Sequence, residues 1–154
     1  MTSRIDVDLA SAAEDVPSQD EIEGWISRAL DGAGKTGDVE VSVRIVDRDE
    51  IRTLNRDYRH RDKATNVLSF PSGDIAGLPD QEPQVLGDIV VCAGVVADEA
   101  DAQGKKPMDH WAHMLVHGTL HLLGYDHEQD DEAQAMEALE TRILGELGVA
   151  DPYA

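Results

Sequence analysis

Residues 107–123 (PMDHWAHMLVHGTLHLL) carry apolar side chains on nearly every side of a helical wheel. Trp111, Ala112, Leu115, Val116, Leu122 and Leu123 leave little surface for water. The exception is a narrow stripe. At roughly 100° per residue, His110, His113, His117 and His121 fall within an arc of about 80°. Pro107 suits the first helical turn and Gly124 the turn that ends it. The segment therefore predicts a mostly buried helix with one line of imidazoles, and the rest of the chain must supply what covers it.

The remaining pattern supplies strands and helices in alternation. Residues 4–9 and 39–46 alternate apolar and polar, as half-buried strands do. Ser18 and Glu21 have capping-box spacing and open a helix to about Leu30. Asp47, with Glu50 three residues on, predicts a capped helix to about Tyr58. Residues 65–70 and 85–92 read as strands, the first stopped by Pro71. Residues 71–84 read as a loop, and Ala93–Gln103 as a helix ended by Gly104. A last helix spans about Asp130–Leu147, with Met136, Leu139, Ile143 and Leu147 on its apolar stripe. The order β-α-β-α-β-β-α-α-α predicts an α+β fold. It would have a small central mixed sheet of about four strands packed with about five helices, and a metal site at the end of the central buried helix. With 154 residues, a single domain over 1–154 is expected. At 4% aromatic residues its core must be aliphatic. The single cysteine, Cys92, excludes an internal disulfide. It ends a strand and is expected to be buried and inert. The N-terminus lacks a basic start followed by an apolar run, and no apolar stretch approaches a membrane span, so a soluble cytoplasmic protein is expected.

The segment HGTLHLLGYDH, His117–His127, has histidines at relative positions 0, 4 and 10 and a glycine at 7. That is the spacing of the zinc-protease pattern H-E-x-x-H-x-x-G-x-x-H, with Gly118 in place of the glutamate. Histidines four apart on a helix have Cβ atoms roughly 5–6 Å apart, close enough for two rings to converge on one ion. A third ligand comes from outside the helix. A left-handed turn at Gly124 lets residues 125–127 double back and bring His127 to the pair. His113, four residues before His117, is an alternative ligand, and His110 and His113 otherwise pack or support. Three imidazoles and an open fourth position make a catalytic geometry, with zinc the default ion. Asp126 is a possible acid/base, or else orients an imidazole ring. The absent glutamate counts against peptide hydrolysis, which must protonate a poor amine leaving group.

The formal charge of −19 argues against nucleic acid or anionic membrane as a partner when taken globally. The distribution is uneven. Residues 44–63 hold seven of the 13 basic residues against five acids. Such an island is either an anion-contacting face or a helix face laced with Arg–carboxylate pairs; charge alone favours the second. The GKT of GAGKTG (32–37) lacks the glycine a phosphate loop needs at Ala29, so it reads as a turn and no nucleotide cofactor is expected. Tyr58, Phe70 and Tyr125 could stack bases, Phe70 being expected in the core instead. Asp88 is expected to be structural.

HGTLHLLGYDH, preceded by HWAHMLV, resembles the signature of the YbeY family of bacterial zinc-dependent single-strand endoribonucleases. The blocks LNRDYRHRDKATNVLSFP (54–71) and LGDIVVC (86–92) resemble it too, as does the tail from Asp130. The resemblance covers roughly residues 39–153. It implies metal ligands His117, His121 and His127, one Zn²⁺ per chain, and a functional arginine at Arg59. It implies single-stranded rRNA as substrate, in maturation of the small-subunit rRNA 3′ end and ribosome quality control. The implied partners are the small ribosomal subunit and its assembly factors, and no membrane. The chemistry agrees, since zinc lowers the pKa of bound water and arginine offers a planar fork to a phosphoryl group. Two other readings stand beside it: a metal-dependent hydrolase of another substrate such as a peptide, and a non-catalytic ribosome-assembly factor with a structural metal.

Overall fold

The computed structural model describes residues 3–72, 84–125 and 129–153. In chain order these form β1 (Ser3–Leu9), α1 (Gln19–Gly32), β2 (Val39–Val46), α2 (Arg48–Arg59), β3 (Val67–Pro71), β4 (Gln84–Cys92), α3 (Ala93–Gln103), α4 (Pro107–Leu122) and α5 (Asp130–Glu146). The expected α+β architecture with a four-stranded mixed sheet and five helices is what folds. The strand order is β1-β2-β4-β3. β1 and β4 run parallel to β2, and β3 is antiparallel to β4.

The alternation in β2 decides which face is buried deepest. Val39, Val41, Val43 and Ile45 point into one core with Ile89 and Val91 of β4. Ile22, Ile26 and Leu30 of α1 and Trp111, Met114 and Leu115 of α4 close over them. On the opposite face Val46, Leu68, Val90 and Cys92 meet Ile51 of α2. A third layer lies outside the first. Met136, Ile143 and Leu144 of α5 pack on Ala112, Val116 and Leu120 of α4. Helix α4 is thus held between the sheet and α5, which is why its sequence is apolar nearly all round. Each fully buried Leu, Ile or Met contributes roughly 1.5–3 kcal/mol relative to exposure. No helix among the described residues is long and apolar enough to cross a membrane.

Several local expectations hold and some change. Ser18 caps α1 with both bonds of the capping box. Asp47 occupies the N-cap of α2, but its side chain makes no capping bond. Its carboxylate instead accepts from Ser11 Oγ at 2.5 Å and Ala12 N at 3.3 Å, tying down the chain after β1. Glu50 turns to Arg44 rather than to the cap. β3 ends at Pro71 as expected, with the proline still in the ladder opposite Gly87, and it starts at Val67 rather than at residue 65. On α5, Leu139 and Leu147 are only partly buried, and the stripe they were expected to complete is filled by Glu140 and Leu144. The expected loop lies largely outside the described residues, as do Asp126 and His127.

Candidate metal centre and groove

Helix α4 brings His117 and His121 together: their Nε2 atoms lie 3.1 Å apart. Two ligands each 2.0–2.1 Å from one tetrahedral ion would be roughly 3.3 Å apart, so this pair is spaced as zinc requires. The other nitrogen of His117 faces α5. His117 Nδ1 is 2.5 Å from Glu140 Oε1. A carboxylate there accepts a hydrogen bond from Nδ1–H and leaves Nε2 as the nitrogen with the lone pair, which is how metal-bound histidines are commonly held. Of the expected ligands, then, two converge. His127 lies outside the described residues.

Glu140 is fully buried. Its Oε2 is 3.3 Å from His113 Nε2 and accepts a hydrogen bond from the Tyr153 hydroxyl. Burial alone would raise the pKa of this carboxyl. The hydrogen bonds from His113, His117 and Tyr153 and the attraction of His117 outweigh it and hold the group down at about 2. Burial, and then the bond to Glu140, push the Tyr153 hydroxyl well above its ordinary range. His113, His117 and Glu140 present ligand atoms within 4.8 Å of one another, a set that could itself hold a metal ion. Within that set, Glu140 and His117 stand at hydrogen-bonding distance, closer than the roughly 3.3 Å between two ligands of a tetrahedral zinc. His110 is separate: its Nε2 meets Glu99 at 2.8 Å, and burial keeps its pKa low despite that carboxylate.

Arg59 approaches from the far side. It is the last residue of α2, where His60 takes a left-handed conformation (φ 59°) and turns the chain back. Buried Asn55 fixes the return by donating to the Lys63 carbonyl at 2.9 Å. Arg59 Nη2 donates to the Ser69 carbonyl at 2.8 Å, with the guanidinium 5.9 Å from the Phe70 ring centre. These contacts aim Arg59 into a groove of about 620 Å³ whose lining also includes Arg61, Lys63, His117, His121 and Tyr125. None of its described lining residues is Asp or Glu. The rest of the basic island behaves differently. Arg44 pairs with Asp8 and Glu50, Arg48 with Asp98, Arg52 with Asp62 and Arg56 with Asp57. The paired reading of the island holds for these four arginines, while Arg59, Arg61 and Lys63 line the groove.

Gly118 has a steric explanation. Its carbonyl accepts from Ser69 Oγ at 3.0 Å. A Cβ there would lie 3.0 Å from Ile89 Cγ2 and 3.2 Å from Ser69 Oγ. The position faces the sheet, so a glutamate at 118 would be driven into β4 rather than toward the groove. Gly124 takes the expected left-handed turn after α4, at φ 99°. Asp88 is exposed on the opposite face of the sheet, in a second groove with Asp6, Asp8 and Arg44. Cys92 is buried.

A family profile described as Endoribonuclease YbeY matches residues 7–148. The chain belongs to the YbeY family. It is 60% identical over 151 residues to the endoribonuclease YbeY of Cellvibrio japonicus, covering 97% of this chain and 82% of that one. It is 58% identical over 142 residues to the endoribonuclease YbeY of Halorhodospira halophila, covering 92% and 91%. A solution structure of a Thermotoga maritima protein matches with a TM-score of 0.57 at 27% identity, covering 92% of this chain and 91% of that one. Within the YbeY fold, the sequence reading missed Glu140 and Tyr153. The signal for Glu140 was a lone carboxylate on an apolar stripe, between Met136 and Ile143. Tyr153 carried no comparable signal.

Proposed function

We propose that this chain is a zinc-dependent endoribonuclease that cleaves single-stranded RNA, with residues 1–154 acting as one domain. One observation carries the reading: His117 and His121 share a groove with Arg59, Arg61 and Lys63 and with no described carboxylate, in a chain of net charge −19. A polyanion is the substrate class that such a groove admits and the remaining surface repels. The ligands are His117, His121 and His127. The bound zinc supplies Lewis acidity toward a phosphoryl oxygen and lowers the pKa of water. Arg59, held by the Ser69 carbonyl and the Phe70 ring, presents its remaining N–H groups to the phosphoryl oxygens as charge develops on them. Arg61 and Lys63 hold flanking phosphates, and Tyr125 offers a ring on which a base can stack.

Small-subunit rRNA, near its 3′ end, is taken as the RNA, with the small ribosomal subunit and its assembly factors as partners in the cytoplasm, as the sequence resemblance implies. Elemental analysis of purified protein tests the metal: one zinc per chain is expected, lost in H117A and H121A. The same preparations are then offered single-stranded RNA and a peptide. Cleavage of RNA that stops on chelation and returns with zinc is the expected result. Peptide cleavage without RNA cleavage would make the chain a hydrolase of another class. Folded, metal-free variants that still restore ribosome maturation in cells would mean that catalysis is not the chain's role.

A further inference from the structure

Glu140 is out of place on packing grounds. It lies on the apolar stripe of α5 beside Met136, Ile143 and Leu144, at 0% exposure. A leucine or methionine would serve that layer without the desolvation that a buried carboxylate carries. Its two oxygens are divided between different tasks. Among the described residues, Oε1 faces His117 Nδ1, while Oε2 meets His113 and the Tyr153 hydroxyl. Tyr153 is itself placed. Its backbone N–H donates to Asp151 Oδ1 at 2.8 Å, and the same oxygen accepts from Thr141 Oγ1 at 3.2 Å. The turn after α5 is thereby folded back onto α5, and the Tyr153 ring meets His113 edge-on, with centroids 5.6 Å apart.

We propose that Glu140 and Tyr153 are positioning residues that set the zinc affinity of the α4 histidines. Tyr153 orients the Glu140 carboxylate, Glu140 fixes His117 as the Nδ1–H tautomer, and that tautomer turns the His117 Nε2 lone pair toward His121. The inference rests on reading His117 and His121 as ligands, and it assigns Glu140 a place behind the metal rather than on it. Carboxylates that hold a ligand histidine in this way commonly change metal affinity by about 10–100-fold when removed.

The test uses the full-length chain. Zinc dissociation constants are measured by competition with a chromophoric chelator for wild type, Y153F and E140Q, with apo-protein melting temperatures alongside. Long-range ¹H–¹⁵N spectra of the apo proteins report the His117 tautomer. We expect E140Q to weaken zinc binding about 10–100-fold and Y153F less, with apo melting of Y153F near wild type. His117 should be the Nδ1–H tautomer in wild type and a mixture in E140Q. A purely structural role would move melting and leave affinity and tautomer unchanged. If E140Q fails to fold, Y153F and the wild-type tautomer decide. Binding within twofold of wild type in the folded variants, or an Nε2–H His117 in the apo wild type, overturns the proposal. Complete loss of zinc in E140Q with none in Y153F would make Glu140 a ligand and overturn it too. A wild type that binds no zinc sinks the metal reading together with this one, whereas a binding wild type with unaltered variants sinks this one alone.

Discussion

Gly118 stands where a Cβ would press on Ile89 and Ser69, so the residue type at that position follows from helix-to-sheet distance. G118E should therefore fail for steric and electrostatic reasons rather than convert the site to a protease. Overpacking costs about 1–3 kcal/mol and an unpaired buried carboxylate adds to it, so a loss of at least about 3 kcal/mol is expected in denaturant titrations. An unchanged unfolding midpoint would mean that residue 118 faces the groove. His110 offers a pH prediction. Its pKa is lowered below 6.5, burial prevailing over the nearby Glu99 and assisted by His113 and Lys105. The folded state therefore binds this proton less readily than the unfolded chain. The stability it contributes is whole above pH 6.5 and is lost as pH falls from there through the lowered folded value. Melting temperature should fall over that window in wild type and fall less in H110Q. The histidine stripe and its turn glycine were legible from spacing alone, because helical periodicity fixes which residues share a face. The direction in which Gly118 points was not, because it depends on which neighbour α4 packs against.

At the scale of elements, local rules and tertiary contacts divide the sequence between them. The α1 capping box was legible at four residues' range and forms both of its bonds. S18A should lower stability by about 1 kcal/mol, read from thermal or chemical unfolding. The same rule applied to Asp47 misplaced its side chain, because the passing chain at Ser11 and Ala12 competes for the carboxylate. D47A should accordingly loosen residues 10–13 without fraying α2, which hydrogen exchange by amide would resolve. Helix α5 was legible as amphipathic, but not the fact that its stripe faces α4. That contact turns Glu140 from an anomaly into a partner of His117. I143A, at the centre of the α4–α5 layer, should cost about 2–5 kcal/mol, and an effect under 1 kcal/mol would mean α5 is loosely docked.

Across the whole molecule the question is how a chain of net charge −19 engages a polyanion. The element order was enough to give the α+β class, yet the folding of the charge could not be read from it. Four arginines of the basic island neutralise carboxylates, and Arg59, Arg61 and Lys63 turn into the groove beside the histidines. Binding of single-stranded RNA should therefore depend only modestly on salt. Three phosphate contacts give a slope of log K against log salt of about −2, since each neutralised phosphate contributes about −0.7 on a single strand. Replacing both Arg61 and Lys63 with alanine should reduce that slope to about −0.7. A slope near −6 would place the RNA on a surface other than this groove. In the proposed mechanism, Arg59 acts on a phosphodiester together with a metal held by the α4 histidines. The most direct measurement is the rate at which R59A, with zinc content matched to wild type, cleaves single-stranded RNA. Arg59 in that role predicts a rate lower by about 10²–10³-fold, the usual effect of removing one donor that faces developing charge. Cleavage by R59A at the wild-type rate would contradict it.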